Sequence, residues 1–286
     1  MKLHVGYWLI LMYLSMPILG HAQTYYSDTS TFDRAAAFYT TLEVFENGNI
    51  TAFGGASDTT QVTRPNFLAF SKRISSDTTV IFRELQINRY FTSNSKKINS
   101  KSFVVGSSSY TDSLGVIQRN TFVFKFDSLG EMLQYTKFPA RPGITDCYLK
   151  DLTLLDNRLY LLGYERKVVG NTQRFDLVVY VLDSANFTVH GIYEFGQSNL
   201  DEFPLRITPS NNGTLLIGAN KTDFSSSSNT NYQTWIFETD TQGNILNQYL
   251  SPLMERESGP GAMIQTSDGG IQFISTKQTF QQSSNS

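Results

Sequence analysis

An all-β fold, specifically a β-propeller of four-stranded antiparallel blades, is predicted by three features of the 286-residue chain. It carries 21 Phe and 15 Tyr, and aromatic side chains favour a pleated, half-buried surface. No long stretch places apolar residues at i, i+3, i+4 and i+7, the spacing of an amphipathic helix. Two independent sequence anchors recur with a period of about 56 residues, the signature of a repeat architecture.

Taken in order, the chain begins with Lys2, an apolar run from Val5 to Leu19, and Gly20 and Ala22 at the −3 and −1 positions of a cleavage site. This predicts a secretory signal peptide over residues 1–22, cut after Ala22. The run is shorter than the ~20 residues needed to span a bilayer, so no membrane span is expected. The mature chain loses Lys2, leaving 22 basic against 25 acidic residues and a net charge of −3. That balance gives no electrostatic case for nucleic acid. Cys147 is the only cysteine, which rules out an intrachain disulfide and reads as a buried small side chain.

The repeat domain is expected over residues 23–286. Its first anchor is an apolar strand ending in Gly: Gly54, Gly106, Gly163 and Gly218, with Ser275 at the same place in a fifth copy. The second anchor is the following strand, which ends at Ser71, Asp127, Asp183 and Asp240. Turn residues follow it, with Gly130, Asn186 and Gly243 suited to a positive φ. Each copy reads as four strands. In the fourth these cover about Phe203–Pro209, Thr214–Ala219, Thr234–Thr239 and Asn244–Tyr249.

The third strand alternates. Phe122, Phe124 and Phe126 share one face in copy two, as do Val178, Tyr180 and Leu182 in copy three, and Trp235, Phe237 and Thr239 in copy four. Its other face is mixed: Val123 and Lys125, Val179 and Val181, Ile236 and Glu238. A sheet with one strongly and one partly apolar face must be covered on both sides, and stacking copies around an axis does this. An open array of β-sandwich modules is the rival, but each such module needs about 100 residues. The chain stops within its fifth copy, so four and a half blades are expected, an incomplete ring truncated at the C-terminus.

The pattern of turn, Gly-ended apolar strand, aromatic strand ending in Asp, then "xxG", as in "DSLGEML" and "DTQGNIL", resembles the repeat-propeller domains of exported bacterial proteins. The likeness is strongest to cargo of the type IX secretion route, and it implies a secreted or cell-surface location.

Chemistry-bearing residues are few. His190 is the only histidine after cleavage and cannot build a multi-His metal site. No catalytic residue set, metal-binding motif or cofactor motif is present, and no cofactor is expected. One polar cluster recurs in phase before the first strands. It holds Asp146 and Asp151, then Asp201, Glu202 and Arg206, then Glu255, Arg256 and Glu257. Asp146, Asp201 and Glu257 are 55 and 56 residues apart, so a propeller brings them to one rim of its channel. Asp146, Asp201, Glu202 and Glu257 are therefore the candidate ligand-binding residues, for an extracellular glycan, peptide or cation. The function expected is a non-catalytic exported module for binding, adhesion or scaffolding. The alternatives are a carbohydrate-active enzyme using rim carboxylates and the sensor domain of a longer protein.

Overall fold

A computed structural model describes residues 37–46, 49–57, 65–73, 80–85, 90–111, 117–129, 131–138, 141–169, 172–196, 200–223, 231–251, 254–255 and 257–277. The signal-peptide segment lies outside them. Every regular element among these residues is a strand. None of them forms a helix long and apolar enough to cross a membrane.

The strands group into successive antiparallel sheets that follow the 56-residue period. Blade 1 is β1 (Ala37–Val44), β2 (Asn49–Ser57), β3 (Pro65–Arg73) and β4 (Val80–Leu85). Blade 2 is β5 (Tyr90–Ile98), β6 (Lys101–Thr111), β7 (Ile117–Asp127) and β8 (Met132–Phe138). Blade 3 is β9 (Ile144–Leu155), β10 (Arg158–Val169), β11 (Thr172–Asp183) and β12 (Val189–Phe195). Blade 4 is β13 (Asp201–Pro209), β14 (Leu215–Asp223), β15 (Asn231–Thr239) and β16 (Ile245–Leu250), with the short β17 (Met254–Glu255) also pairing with β15. The fifth sheet has two strands, β18 (Glu257–Gln265) and β19 (Ile271–Lys277). Within each complete blade the strands lie side by side in chain order. The fold is an incomplete β-propeller.

The turns form where the sequence places them. Asp240 Oδ1 accepts from the N–H groups of Gln242 (2.9 Å) and Asn244 (2.8 Å), and Gly243 takes φ 86°. Asp127 and Asp183 cap the equivalent turns in the same way. In blade 3 the left-handed residue is Phe187 (φ 61°), one position beyond the expected Asn186. Gly130 falls outside the described residues.

The Gly anchor has a packing cause. In each complete blade the first strand carries one extra residue against the second: Thr40, Ser93, Lys150 and Leu205. This β-bulge bends the first strand. In blade 3 it brings the carbonyl oxygen of Tyr148 onto the place where a Cβ on Gly163 would stand. Structural equivalence differs from the sequence alignment in blade 4. Ala219, opposite Pro204 and Trp235, occupies the place of Gly163, and Gly218 precedes it by one.

Blades pack face to face. Phe53 of blade 1 meets Val104, Phe122, Phe124 and Phe126 of blade 2. Phe103, Val105 and Val123 of blade 2 meet Leu149, Leu161, Val178 and Tyr180 of blade 3. Tyr160, Leu162, Val179 and Val181 of blade 3 meet Ile207, Ile217, Trp235 and Phe237 of blade 4. Leu216 and Ile236 of blade 4 meet Met263 of blade 5. The face expected to be partly covered is thus fully buried at Val123, Val179, Val181 and Ile236. Lys125 is also buried; its ammonium donates to the carbonyls of Ser184 (3.1 Å) and Ala185 (3.3 Å) in the next blade.

The first strands lie innermost, β1 against β5, β5 against β9, β9 against β13, and β13 against β18. The fourth strands lie outside, and every residue of β16 is exposed.

Candidate functional site

Because the first strands run side by side round the axis, their starting ends meet at one rim. All four candidate acids lie there, but within the strands: Asp146 in β9, Asp201 and Glu202 in β13, Glu257 in β18. The sequence placed them in loops, and the inner strands start earlier than expected. The side chain of Glu257 is outside the described residues. The other three are buried, at 1%, 3% and 0% exposure. Each of the three faces a partner on another strand. Asp201 Oδ1 accepts from the N–H of Phe175 (2.9 Å) in β11, which ties blade 4 to blade 3. Asp146 faces Arg166 across the β9–β10 ladder, with guanidinium and carboxylate 3.6 Å apart. Glu202 pairs in register with Lys221, whose Nζ stands 3.8 Å from the Trp235 ring centroid. Burial draws the Lys221 amine below its ordinary pKa, and the Glu202 charge opposes that shift.

At the same end of the seam between blades 3 and 4, four aromatic side chains come together. Tyr148 and Tyr164 stack at 5.5 Å between centroids. Tyr164 meets Phe175 (5.4 Å) and Phe203 (5.9 Å) edge-on, and Phe175 meets Phe203 at 5.4 Å. All four are half-buried. They continue the apolar seam up to the solvent, beside Asp146 and Arg166.

A second network runs round the axis below the rim. It uses the residue just past each bulge: Thr41, Asn94, Asp151 and Arg206, at spacings of 53, 57 and 55. Asn94 Nδ2 donates to Asp151 Oδ1 at 2.5 Å. The other oxygen, Asp151 Oδ2, accepts from the N–H of Ile207 at 2.9 Å and lies 3.9 Å from the Arg206 guanidinium. Arg206 Nε donates to the carbonyl of Gly261. Thr41 Oγ1 is 2.5 Å from Ser95 Oγ, which donates to Glu43 at 2.7 Å. One belt of side chains therefore links all five blades. Burial pushes the Asp151 carboxyl up from its ordinary pKa, against the bond from Ile207 and the Arg206 charge. Asp151 and Arg206 were visible as members of the in-phase polar cluster. Thr41 and Asn94 were missed, because only an alignment that counts the bulge residue puts them in phase.

On its opposite face, toward blade 2, blade 3 holds a polar chain that runs from the buried Glu165 out to the exposed Glu194. Tyr180 donates to Glu165, which also pairs with Arg141, and Arg141 Nη2 reaches Glu194 at 2.8 Å. Cys147 is free and buried, 3.5 Å from the Tyr180 hydroxyl, with burial pushing its thiol up to about 11. At that pKa it is an inert core thiol. The His190 side chain is 43% exposed and 4.0 Å from Asp183. Among the described residues no group of three or more His, Cys, Asp or Glu is placed to hold a metal ion.

The chain matches no protein-family model and no curated protein. Among solved structures it is similar to a mannose phosphorylase from Leishmania mexicana, 15% identical over 85% of this chain and 80% of that one, with a TM-score of 0.46. It is similar to an endo-arabinase from Bacteroides thetaiotaomicron, 11% identical over 88% and 99% of the two chains, with a TM-score of 0.47. A subtype N10 neuraminidase-like protein of A/little yellow-shouldered bat/Guatemala is 13% identical over 77% and 60%, with a TM-score of 0.45.

Proposed function

We propose that the protein is an exported, non-catalytic binding module of the bacterial cell surface or exterior, and that it takes its ligand at the rim where the inner strands begin. Export rests on Lys2, the apolar run and Gly20–Ala22 at the cleavage site. The type IX route is the one its repeat resembles. The observation that carries the binding reading is the half-buried quartet Tyr148, Tyr164, Phe175 and Phe203 beside the Asp146–Arg166 pair. Apolar rings with a few placed polar groups are the usual make-up of a ligand site. Asp146 and Asp201 act here as the frame of the rim, with Glu202 beside Asp201 in β13 and Glu257 at the start of β18.

A carbohydrate-active enzyme is the second reading. It is favoured by the placement of Asp146, Asp201 and Glu202 at adjoining strand starts, since carboxylate pairs perform general acid–base hydrolysis. Both readings are tested on the purified protein and an Arg166→Gln, Glu257→Gln variant. A binding screen with polysaccharides, peptides and Ca²⁺ is run alongside an assay for released reducing sugar. The binding module predicts a ligand lost in the variant and no product. Sugar release lost in a Glu202→Gln variant establishes the enzyme. A ligand bound equally by wild type and variant refutes the rim.

A further inference from the structure

We infer that β16 is an interface strand, and that a second copy of this chain pairs with it edge to edge about a two-fold axis. The inference is independent of the rim. β16 is the free edge of blade 4, and all of its residues are exposed. Leu246, Tyr249 and Leu250 are 50%, 52% and 42% exposed. An open edge offers unpaired N–H and C=O groups, and charged side chains are a usual guard against a second strand. The other outer strands carry them: Arg83 and Glu84 in β4, Lys137 in β8 and Glu194 in β12. β16, "ILNQYL", carries none.

The ladder to β15 decides which backbone groups are free. The N–H of Ser251 donates to the carbonyl of Thr234 (2.9 Å), and Leu250, Tyr249, Gln248 and Asn247 stand opposite Trp235, Ile236, Phe237 and Glu238. Bonded and non-bonded pairs alternate along an antiparallel ladder. Tyr249 and Asn247 therefore bond to β15, and the backbone groups of Leu250 and Gln248 point outward. Two copies that meet antiparallel bond through these outward residues. With Gln248 opposite Gln248 of the second copy, Leu246 falls opposite Leu250 and Asn247 opposite Tyr249, each twice. Apolar meets apolar, amide meets amide or phenol, and no charge is buried. The next register, centred on Tyr249, would set each Gln248 against a Leu250. The strand is thus complementary to itself in one register, which is what a two-fold contact requires, and such a contact closes at two copies. One short strand makes a small contact, so the dimer is weak and β16 is free in dilute solution.

Sedimentation velocity of the purified full chain, from about 10 μM to about 1 mM, tests the inference, with a dimer expected to grow in across that range. Gln248→Lys and Gln248→Glu each set like charges against one another at the two-fold axis and should each weaken the dimer about tenfold or more. An equimolar mixture of the two should restore it as a heterodimer. Gln248→Glu keeps the oxygen that accepts from Trp235 Nε1 (3.1 Å), so the fold of the blade is retained in at least that variant. Gln248→Cys gives a second measurement. The Cα atoms of a hydrogen-bonded pair stand about 5.5 Å apart, within disulfide range, and Cys147 is buried, so mild oxidation should yield a covalent dimer through residue 248. A wild type that stays monomeric throughout overturns the inference. So does association that the charged variants leave unchanged, which would place the contact at another edge such as β19. A mixture that remains monomeric, or a folded Gln248→Cys variant that does not cross-link, overturns it as well.

Discussion

Replacing Asp151 by Asn is the sharpest test of how the blades hold together. Asp151 Oδ1 accepts from Asn94 Nδ2 of blade 2 (2.5 Å) and from the N–H of Leu152 (2.9 Å). Its Oδ2 accepts from the N–H of Ile207 in blade 4 (2.9 Å). Asparagine has the same shape but one acceptor oxygen. If that oxygen keeps the bonds on the Oδ1 side, the amide NH₂ points at the N–H of Ile207, donor against donor. Ile207 is 3% exposed, so water cannot replace the lost acceptor. A buried donor left unpaired costs about 1–3 kcal/mol. For a chain of this size that corresponds to a melting point lower by roughly 2–12 °C. Thermal melts followed by circular dichroism at neutral pH, with Asn94→Leu and the double variant completing a cycle, would measure it. The two substitutions should be non-additive by about 0.5–3 kcal/mol, since they share one bond. A variant melting within a degree of wild type, or strictly additive effects, would refute the belt as a link between blades.

Two other outcomes follow from the same geometry. Gly163→Ala puts a methyl group on the backbone oxygen of Tyr148 and should destabilise by about 1–3 kcal/mol, because the bulge cannot move aside cheaply. Gly213→Ala has φ 74° but open space around it, so it should cost only the ~1–2 kcal/mol of the left-handed conformation; urea midpoints would separate the two. The exposed turn aspartates give an acid limb. Bonds from Asn186 and Ala185 hold the Asp183 carboxyl below its usual value, and the side-chain amide of Asn244, then backbone N–H groups, do so for Asp240. A folded-state pKa below the unfolded one means the unfolded chain binds more protons. This stabilisation is complete above the ordinary carboxylate pKa of about 4 and is lost as pH falls through the depressed values. Melting temperatures of an Asp183→Asn, Asp240→Asn variant should fall less steeply than wild type between pH 4 and 2, and a parallel fall would contradict the assignment.

Much of the fold was legible because its signals are local. The Asp-capped turns follow from residues adjacent in sequence, and alternation in the third strand named what that strand of blades 2, 3 and 4 gives to the seams. Complete burial of Val179 and Ile236 on the mixed face was not legible, since it depends on which blade follows. The bulge was hidden for a similar reason. One extra residue in the first strand shifts the phase of everything before it, so Thr41 and Asn94 did not align with Asp151 and Arg206. The spacing of Asp146, Asp201 and Glu257 did reveal a common end of the inner strands. Spacing carries no information about burial, and it could not show that Asp201 is spent on the N–H of Phe175 and Asp146 on Arg166. The aromatic quartet escaped notice because its members come from four strands, and only Tyr148 and Phe203, 55 residues apart, keep the period.

The central claim is radial order: first strands inside, fourth strands outside, in successive blades. Residue-resolved amide hydrogen exchange measures this directly, because β9 and β12 are both edge strands of one sheet, as are β13 and β16. The account predicts that ladder amides of β9 and β13 exchange more slowly than those of β12 and β16 by about a hundredfold. Equal protection of the inner and outer edges, or faster exchange in β9 and β13, would contradict it.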